Sequence, residues 1–400
     1  MPRPCVGVRV YNVRFGDCVL VSIGATGGEK HVLIDFGNAP AMVRMKGGKN
    51  DVFGPIAADI AKRTNGTIDL LIMSHEHLDH MEGFFSEKKV FDRITVKDVW
   101  MSLMSDPDYY KNFPDCVPER KARLALNELA MRWNLQGRLS WFPDSIVSLI
   151  ANNILSVSNA QRIDYVRQLA DDRKRVHYLS RGMSTSKRHT LGDDVEIEIL
   201  APEKNASVYY GSGGQGFWLS AAAHFGKPSP RGINPKKRGG GRCPRHIAKE
   251  EFEQLKDDVA EMDVNDLLAI DKAANNTSLV VRINVGGKKL LFPGDAEQES
   301  WAFMKSKGLL EAVDVLKVAH HGSLNGMPFE GDDAIQDLLL KPGGKTTAIV
   351  STCRGVYGDT TETEIPNGRL MELLRKRCGK VIDTEKDARP GEYIGFDLAI

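Results

Sequence analysis

Residues 68–73, IDLLIM, form an apolar run broken only at Asp69, and the seven residues that follow are Ser74-His75-Glu76-His77-Leu78-Asp79-His80. This junction constrains the fold more than any other stretch of the chain. A short apolar run without regular polar alternation belongs to a strand covered on both faces. The end of such a strand is a rigid platform, and the loop beyond it can aim several side chains at one point. His75 and His77 alternate, so in an extended segment they share a face, and Asp79 and His80 follow one short turn later. Imidazole and carboxylate together suit zinc, manganese or iron. Four such groups in six residues are too many for one closed structural site that also draws on distant ligands. They fit two neighbouring divalent ions, completed from elsewhere in the chain. A polar surface turn that happens to be His-rich is the plainer reading, but the apolar strand before it and Gly83 after it weigh against that.

Strand-rich blocks occupy both ends of the chain. The expected strands are 6–13, 18–23, 31–35, 195–200, 278–285, 289–292, 313–318, 347–351, 381–383 and 393–399, short, β-branched and punctuated by Gly. Helices are expected at 55–62, 298–306, 332–340 and 366–377. Between about 105 and 190 the pattern turns helical, as in 118–133 with Pro in its first turn, then 145–155 and 159–173. Residues 227–245 hold seven Lys/Arg and no acid, and 250–271 hold nine acids on a helix-like pattern. This reads as a basic loop followed by an acidic helix. Lys236, Lys237 and Arg238 are its candidate contacts to a substrate polyanion, although neutralisation by the acidic helix explains the run equally well. The Gly-rich 211–216 is not a phosphate loop, because no Lys-Ser/Thr follows it.

Composition narrows the function classes. Lys and Arg total 54 against 53 Asp and Glu, a net charge of +1, so the chain is not a bulk electrostatic binder of nucleic acid or anionic lipid. No window of about 18 uninterrupted apolar residues is present, so no membrane span is expected. The start, MPRPCVGVRVYNV, reads as a strand rather than a secretory leader. Six cysteines without a CxxC pair are expected to be reduced thiols of a cytoplasmic protein.

Taken in order, the motifs resemble the metallo-β-lactamase fold superfamily. IDLLIMSHEHLDHMEG looks like its strand and HxHxDH motif, 33–37 (LIDFG) like its early Asp motif, 290–296 (LLFPGDA) like the strand before its bridging Asp, and 315–323 (VLKVAHHGS) like its last His motif. Phe15-Gly16-Asp17, GDAE at 294–297 and KVAHHGS at 317–323 resemble one branch, the hydrolase domain of the competence protein ComEC and its stand-alone relatives, which also includes a phosphorylcholine esterase. The resemblance covers about 1–100, 193–203 and 275–400. It implies an α/β fold, a four-layer αββα sandwich with the metals at one edge between the sheets. Residues 1–400 would then be one hydrolase domain, interrupted by a helical insert at 105–190 and a second insert, basic loop plus acidic helix, at 204–272.

The same resemblance implies two divalent metal ions, zinc or manganese. His75 and His77 would hold one ion, and Asp79, His80 and His321 the other, with Asp295 bridging both. Asp35 would orient the metal loop, Ser323 would support the last motif, and His320 would face the substrate phosphate or leaving group. Where the superfamily often carries a third His for the first metal, this chain has Ala274-Asn275-Asn276-Thr277-Ser278, so Asn276 would stand behind that ion. An amide suits manganese better than zinc. A histidine from an insert, His177, His189 or His224, is the other way to complete the site.

The expected activity is metal-dependent hydrolysis of a phosphate-containing substrate, by a phosphodiesterase or nuclease. Asp79 and His320 would be its catalytic groups, and a hydroxide held between the ions would be the nucleophile. A lactone, thioester or amide hydrolase of the same fold is the first alternative. A partner-binding subunit with a degenerate metal site is the second, kept open by Asn275 and Asn276.

Overall fold

The computed structural model describes residues 5–25, 28–40, 42, 51–135, 144–210, 264–331, 334–357 and 364–400. Among these residues the strands make two mixed sheets. The first is built from β1 (Cys5–Tyr11), β2 (Val19–Ala25), β3 (Gly28–Ile34), β4 (Thr67–Met73), β5 (Thr95–Ser102), β6 (Val176–Leu179) and a late strand, β13 (Tyr393–Ala399), in the order β13-β1-β2-β3-β4-β5-β6. The second contains β7 (Val195–Ala201), β8 (Val280–Val285), β9 (Lys288–Phe292), β10 (Val315–Lys317), β11 (Thr347–Val350) and β12 (Lys380–Asp383), in the order β12-β11-β10-β9-β8-β7. Each sheet is antiparallel on one side and parallel on the other. The parallel pairs are β3-β4, β4-β5 and β5-β6 in the first sheet, and β9-β10, β10-β11 and β11-β12 in the second.

The longer helices are α1 (Phe53–Arg63), α2 (Leu78–Ser86), α3 (Val117–Leu135), α4 (Asp144–Asn153), α5 (Val157–Gln168), α6 (Val264–Asn275), α7 (Gln298–Ser306) and α8 (Gly368–Arg377). Strand alternation sorts the apolar residues between them. Val6, Val8 and Val10 of β1 and Leu70 and Ile72 of β4 join Val281, Ile283, Leu290 and Phe292 of the second sheet in one buried cluster. The neighbours Leu71 and Met73 meet Phe53, Ile56 and Ile60 of α1, Phe84 of α2 and Val166 of α5. On the second sheet, Leu291, Leu316 and Val350 meet Trp301 of α7 and Leu370 and Leu374 of α8. The result is an α/β sandwich, with the sheets sharing one core and helices packed on each. Each fully buried Val, Leu or Ile contributes about 1.5–3 kcal/mol relative to exposure, so the shared core fixes how the two sheets face each other. Asp69, the polar residue in the apolar run of β4, is buried but paired with Lys97 at 2.7 Å and Lys30 at 3.2 Å from the flanking strands.

Several elements depart from the sequence reading. β5 and α2 were not expected, and β6 lies inside the stretch read as a helical insert yet extends the first sheet in parallel with β5. The helix expected at 332–340 is confined to Gln336–Leu339, and the acidic helix is described from Val264 to Asn275. Lys236, Lys237, Arg238 and the rest of the basic run lie outside the described residues. The two stretches read from the sequence as inserts meet in one buried cluster, in which Leu126 and Ala130 of α3 and Ile150 of α4 join Leu267 and Ile270 of α6. No described helix is long and apolar enough to cross a membrane.

Candidate metal centre

The carboxyl ends of parallel strands are where ligands gather in α/β sheets, because the loops leaving them open onto a crevice. Here β3, β4, β9, β10 and β11 deliver their ends to one place. After β3 the chain turns at Asp35, whose φ of 54° is left-handed and uncommon for a residue with a Cβ. The turn sets its carboxylate between two parts of the His motif. Oδ1 accepts from the Ser74 amide at 2.7 Å, and Oδ2 accepts from His80 Nδ1 at 2.8 Å. With Nδ1 held there, His80 Nε2 points to Asp295, 3.1 Å from its Oδ2. A carboxylate on the far nitrogen is the usual way a metal-ligating imidazole is oriented.

Asp79 and His80 sit in the first turn of α2, which brings both inward. Asp295 follows β9 through Gly294, whose φ is 57° and whose missing Cβ would lie 2.8 Å from the Ser74 Cβ. This lets the Asp295 turn pack directly on the His loop, and the Asp295 amide donates to Ser278 Oγ at 3.1 Å. After β10, His320, His321 and Gly322 are all left-handed, with φ of 47°, 54° and 83°. Strain of this kind persists where the surroundings over-determine it. It aims His321 inward. Nδ1 donates to the Ser351 carbonyl at 3.0 Å, and Nε2 lies 3.2 Å from Asp295 Oδ2 and 3.3 Å from Asp79 Oδ2. Phe15 covers the ring, with centroids 4.4 Å apart.

Asp79, His80, Asp295 and His321, all buried, thus offer ligand atoms within 4.8 Å of one another, a grouping that could hold a metal ion. His75 and His77 adjoin it. The His75 ring is 4.3 Å from that of His80 and 4.5 Å from that of His77. The Nε2 atoms of His75 and His77 are buried without a hydrogen-bond partner. Such an orphan costs about 1–3 kcal/mol unless something satisfies it. Burial lowers His77 to about 4 and holds His75 well below the ordinary imidazole value, which favours the neutral ring that ligates metal. Burial opposes ionisation of Asp79 and Asp295, but the imidazoles of His321 and His80 outweigh it, holding Asp79 at about 2 and Asp295 well below the usual carboxylate range. Orphaned imidazole nitrogens beside ionised carboxylates are a donor set that fits a divalent ion.

Four residues that the sequence reading left without a role complete the surroundings. Lys317, buried in β10, pairs with Asp17 and lies 3.9 Å from Asp295 Oδ1. Glu297 Oε1 is 3.1 Å from His320 Nδ1. Burial would lower His320, but Glu297 and Asp295 raise it to about 9. Asp271 of α6 accepts from Asn153 at 2.7 Å and Asn275 at 3.1 Å, and burial raises it to about 7. A charged residue in an apolar strand, as in VDVLKVA, was the legible signal for Lys317. Asp271 carried no signal separate from the acids around it.

The amide of Asn276 is engaged by hydrogen bonds at both its atoms. Its Oδ1 accepts from the amides of Ser300 at 2.9 Å and Glu297 at 3.2 Å, and its Nδ2 donates to Glu299 at 3.0 Å, so the side chain anchors the start of α7. His177 lies beside Asp98 at 3.4 Å and His189 against the Trp100 ring, and neither joins a ligand-capable group among the described residues. His224 lies outside those residues. Ser323 Oγ accepts from the Gly326 amide at 3.0 Å and so closes the turn after the His pair.

Close backbone packing holds the loops in register. A Cβ on Gly37 would fall against the Leu78 carbonyl and 2.6 Å from backbone atoms of Asp79 and His80. Gly37→Ala is therefore expected to cost about 1–3 kcal/mol and to weaken metal uptake, because the obstacle is backbone that cannot rotate away. Urea denaturation and a Mn²⁺ titration measure the two effects, and wild-type values in both would contradict the packing argument.

The groups open into a cavity of about 730 Å³, lined by His77, Asp79, Asp295 and His320 together with Ile146 and Leu149 of α4 and Leu268 of α6. No family model matches the chain. It is similar to ComE operon protein 3 of Bacillus subtilis (strain 168), 31% identical over 113 residues. That stretch is 28% of this chain and 13% of the length of that protein.

Proposed function

We propose that the protein is a divalent-metal-dependent hydrolase of phosphodiester bonds, built on a four-layer αββα fold of the metallo-β-lactamase type. One observation carries the reading: Asp79, His80, Asp295 and His321 arrive from different strand ends and meet, buried, beside the orphaned nitrogens of His75 and His77, at a cavity large enough for a small ligand. Helices packed on both sheets and the local similarity to ComE operon protein 3 are in keeping with the branch that the motifs resemble.

Divalent ions bound to these groups would polarise a phosphoryl oxygen and lower the pKa of a water toward neutrality. The chain's own residues do the rest. Asp35 and Ser351 fix His80 and His321 through their Nδ1 atoms, which leaves both Nε2 atoms for ligation. Lys317 and Asp17 neutralise each other behind Asp295 and hold its carboxylate in place. His320 lines the cavity with Glu297 Oε1 3.1 Å from its Nδ1, so its ring would be the group that passes a proton to the leaving-group oxygen.

The test is hydrolysis of bis-p-nitrophenyl phosphate by the full chain with added Mn²⁺ or Zn²⁺. Turnover is expected in the wild type, with a loss of about 10²–10³-fold or more in Asp79→Ala. Equal rates would remove the reading. A carboxylic ester, lactone or thioester is the second reading, favoured by the apolar wall of Ile146, Leu149 and Leu268. Faster turnover of p-nitrophenyl esters or lactones than of the phosphodiester, with the same dependence on Asp79, would select it.

A further inference from the structure

We propose that Asp271 is a ligand of the metal ion at His75 and His77, delivered by the insert helix α6 where the superfamily pattern expects a third imidazole. The inference rests on the metal-hydrolase reading above. His77 Nε2 is buried, has no hydrogen-bond partner, and lies 3.9 Å from Asp271 Oδ1, with side-chain exposures of 3% and 14%. Ligand atoms bound at about 2.0–2.2 Å around one tetrahedral ion stand roughly 3.3–3.6 Å apart, so the pair needs to close by only a few tenths of an ångström.

The carboxylate is also built for the task. Asn153 of α4 donates to Oδ1 and Asn275 donates to Oδ2, and ligating carboxylates are characteristically fixed by such hydrogen bonds. Asn275 also donates to Glu297 Oε1 at 2.8 Å, so one amide sets the spacing of two carboxylates. This gives the Asn at the third-His position a role: it does not bind the ion but positions the acid that does. Glu297 is matched by His320 at 3.1 Å. Among the described residues, His77 Nε2 is the imidazole nitrogen within 4 Å of Asp271, and ligand atoms of Glu297 and His320 lie within 4.8 Å of the same carboxylate. An ion on His77 Nε2 would bring a cation into direct reach of this largely buried carboxylate.

Placement on the helix extends the consequence. Leu268, Asp271, Lys272 and Asn275 are spaced i, i+3, i+4 and i+7, one face of α6, and the first three line the cavity. A metal bound by Asp271 would therefore pin the helix that brings Leu268 to the apolar wall, coupling metal loading to the shape of the substrate cavity.

The test titrates metal-stripped full chain with Mn²⁺ and reads ion stoichiometry and affinity, together with the visible spectrum of the Co²⁺-loaded protein. Wild type is expected to take two ions. Asp271→Asn is expected to weaken one of them at least about 100-fold, a loss at the upper end of what removing even an outer hydrogen bond produces. Asp271→His is expected to restore the affinity and to shift the Co²⁺ bands toward a nitrogen-richer donor set. His77→Ala is expected to lose the same ion as Asp271→Asn, so the double variant keeps as many ions as either single one. Two ions of wild-type affinity in Asp271→Asn, with an unchanged Co²⁺ spectrum in Asp271→His, would overturn the inference and leave the hydrolase reading standing. A double variant that loses one ion more than either single variant would also overturn it, by placing Asp271 in a separate site with Glu297 and His320. If Asp271→Asn does not fold, the Co²⁺ spectrum of Asp271→His decides alone. No uptake by the wild type would remove both readings.

Discussion

Asp295→Asn is expected to abolish metal uptake at the buried group and hydrolysis with it, with a rate loss on the order of 10³-fold or more. The magnitude follows from where one oxygen sits. Oδ2 is 3.1 Å from His80 Nε2 and 3.2 Å from His321 Nε2, and the whole carboxylate is buried. That one oxygen therefore meets imidazoles from the β4 and β10 ends at once, with Asp79 in the same group. The isosteric amide keeps the shape and removes the charge, so any loss reports electrostatics rather than a cavity. Metal analysis of the purified variant and its rate on bis-p-nitrophenyl phosphate measure both effects. Retention of wild-type metal content would show that Asp295 is not a ligand.

Lys317→Met is expected to destabilise the metal-free protein by about 3–5 kcal/mol, the cost of leaving buried charge without its partner. Lys317 is 2% exposed, pairs with Asp17, and lies 3.9 Å from Asp295. Burial works against its charge, but Asp17 and Asp295 more than offset this and raise its pKa above the ordinary lysine value. Removing it leaves acidic groups facing one another in a dry interior. The experiment belongs in EDTA, because an ion bound to the native state adds stability of its own. Asp17→Asn added to Lys317→Met is expected to recover part of the loss, with a coupling energy of about 0.5–3 kcal/mol in a double-mutant cycle. Urea denaturation reads all three variants. A change within about 0.5 kcal/mol for Lys317→Met would mean that the pair is spectator chemistry.

What the sequence disclosed follows from how locally each feature is encoded. β4 and the His motif were legible because a buried strand and its loop occupy consecutive residues. Alternating Val residues in β1 and β8 were legible for the same reason. β5 was hidden because Lys97 and Asp98 interrupt it, and these pair across the sheet with Asp69 and Arg175, partners distant in sequence. β6 was hidden because four residues carry no period of their own, and only β5 beside it makes them a strand. The partners of Asn276 were hidden because sequence position alone cannot show that its amide is engaged by Ser300, Glu297 and Glu299. The link between α6 and the metal centre was out of reach because it runs through a core in which Leu126 and Leu267, more than a hundred residues apart, share one cluster.

The central claim is that these distant strand ends hold divalent ions between them. The most direct measurement is an anomalous difference map from crystals grown with Mn²⁺ and recorded at an energy where manganese scatters anomalously. The account predicts two peaks about 3.5–4 Å apart, one ligated by Asp79, His80 and His321 and the other by His75 and His77, with Asp295 between them. A map with no peak within ligand distance of His80 and His321 would contradict it.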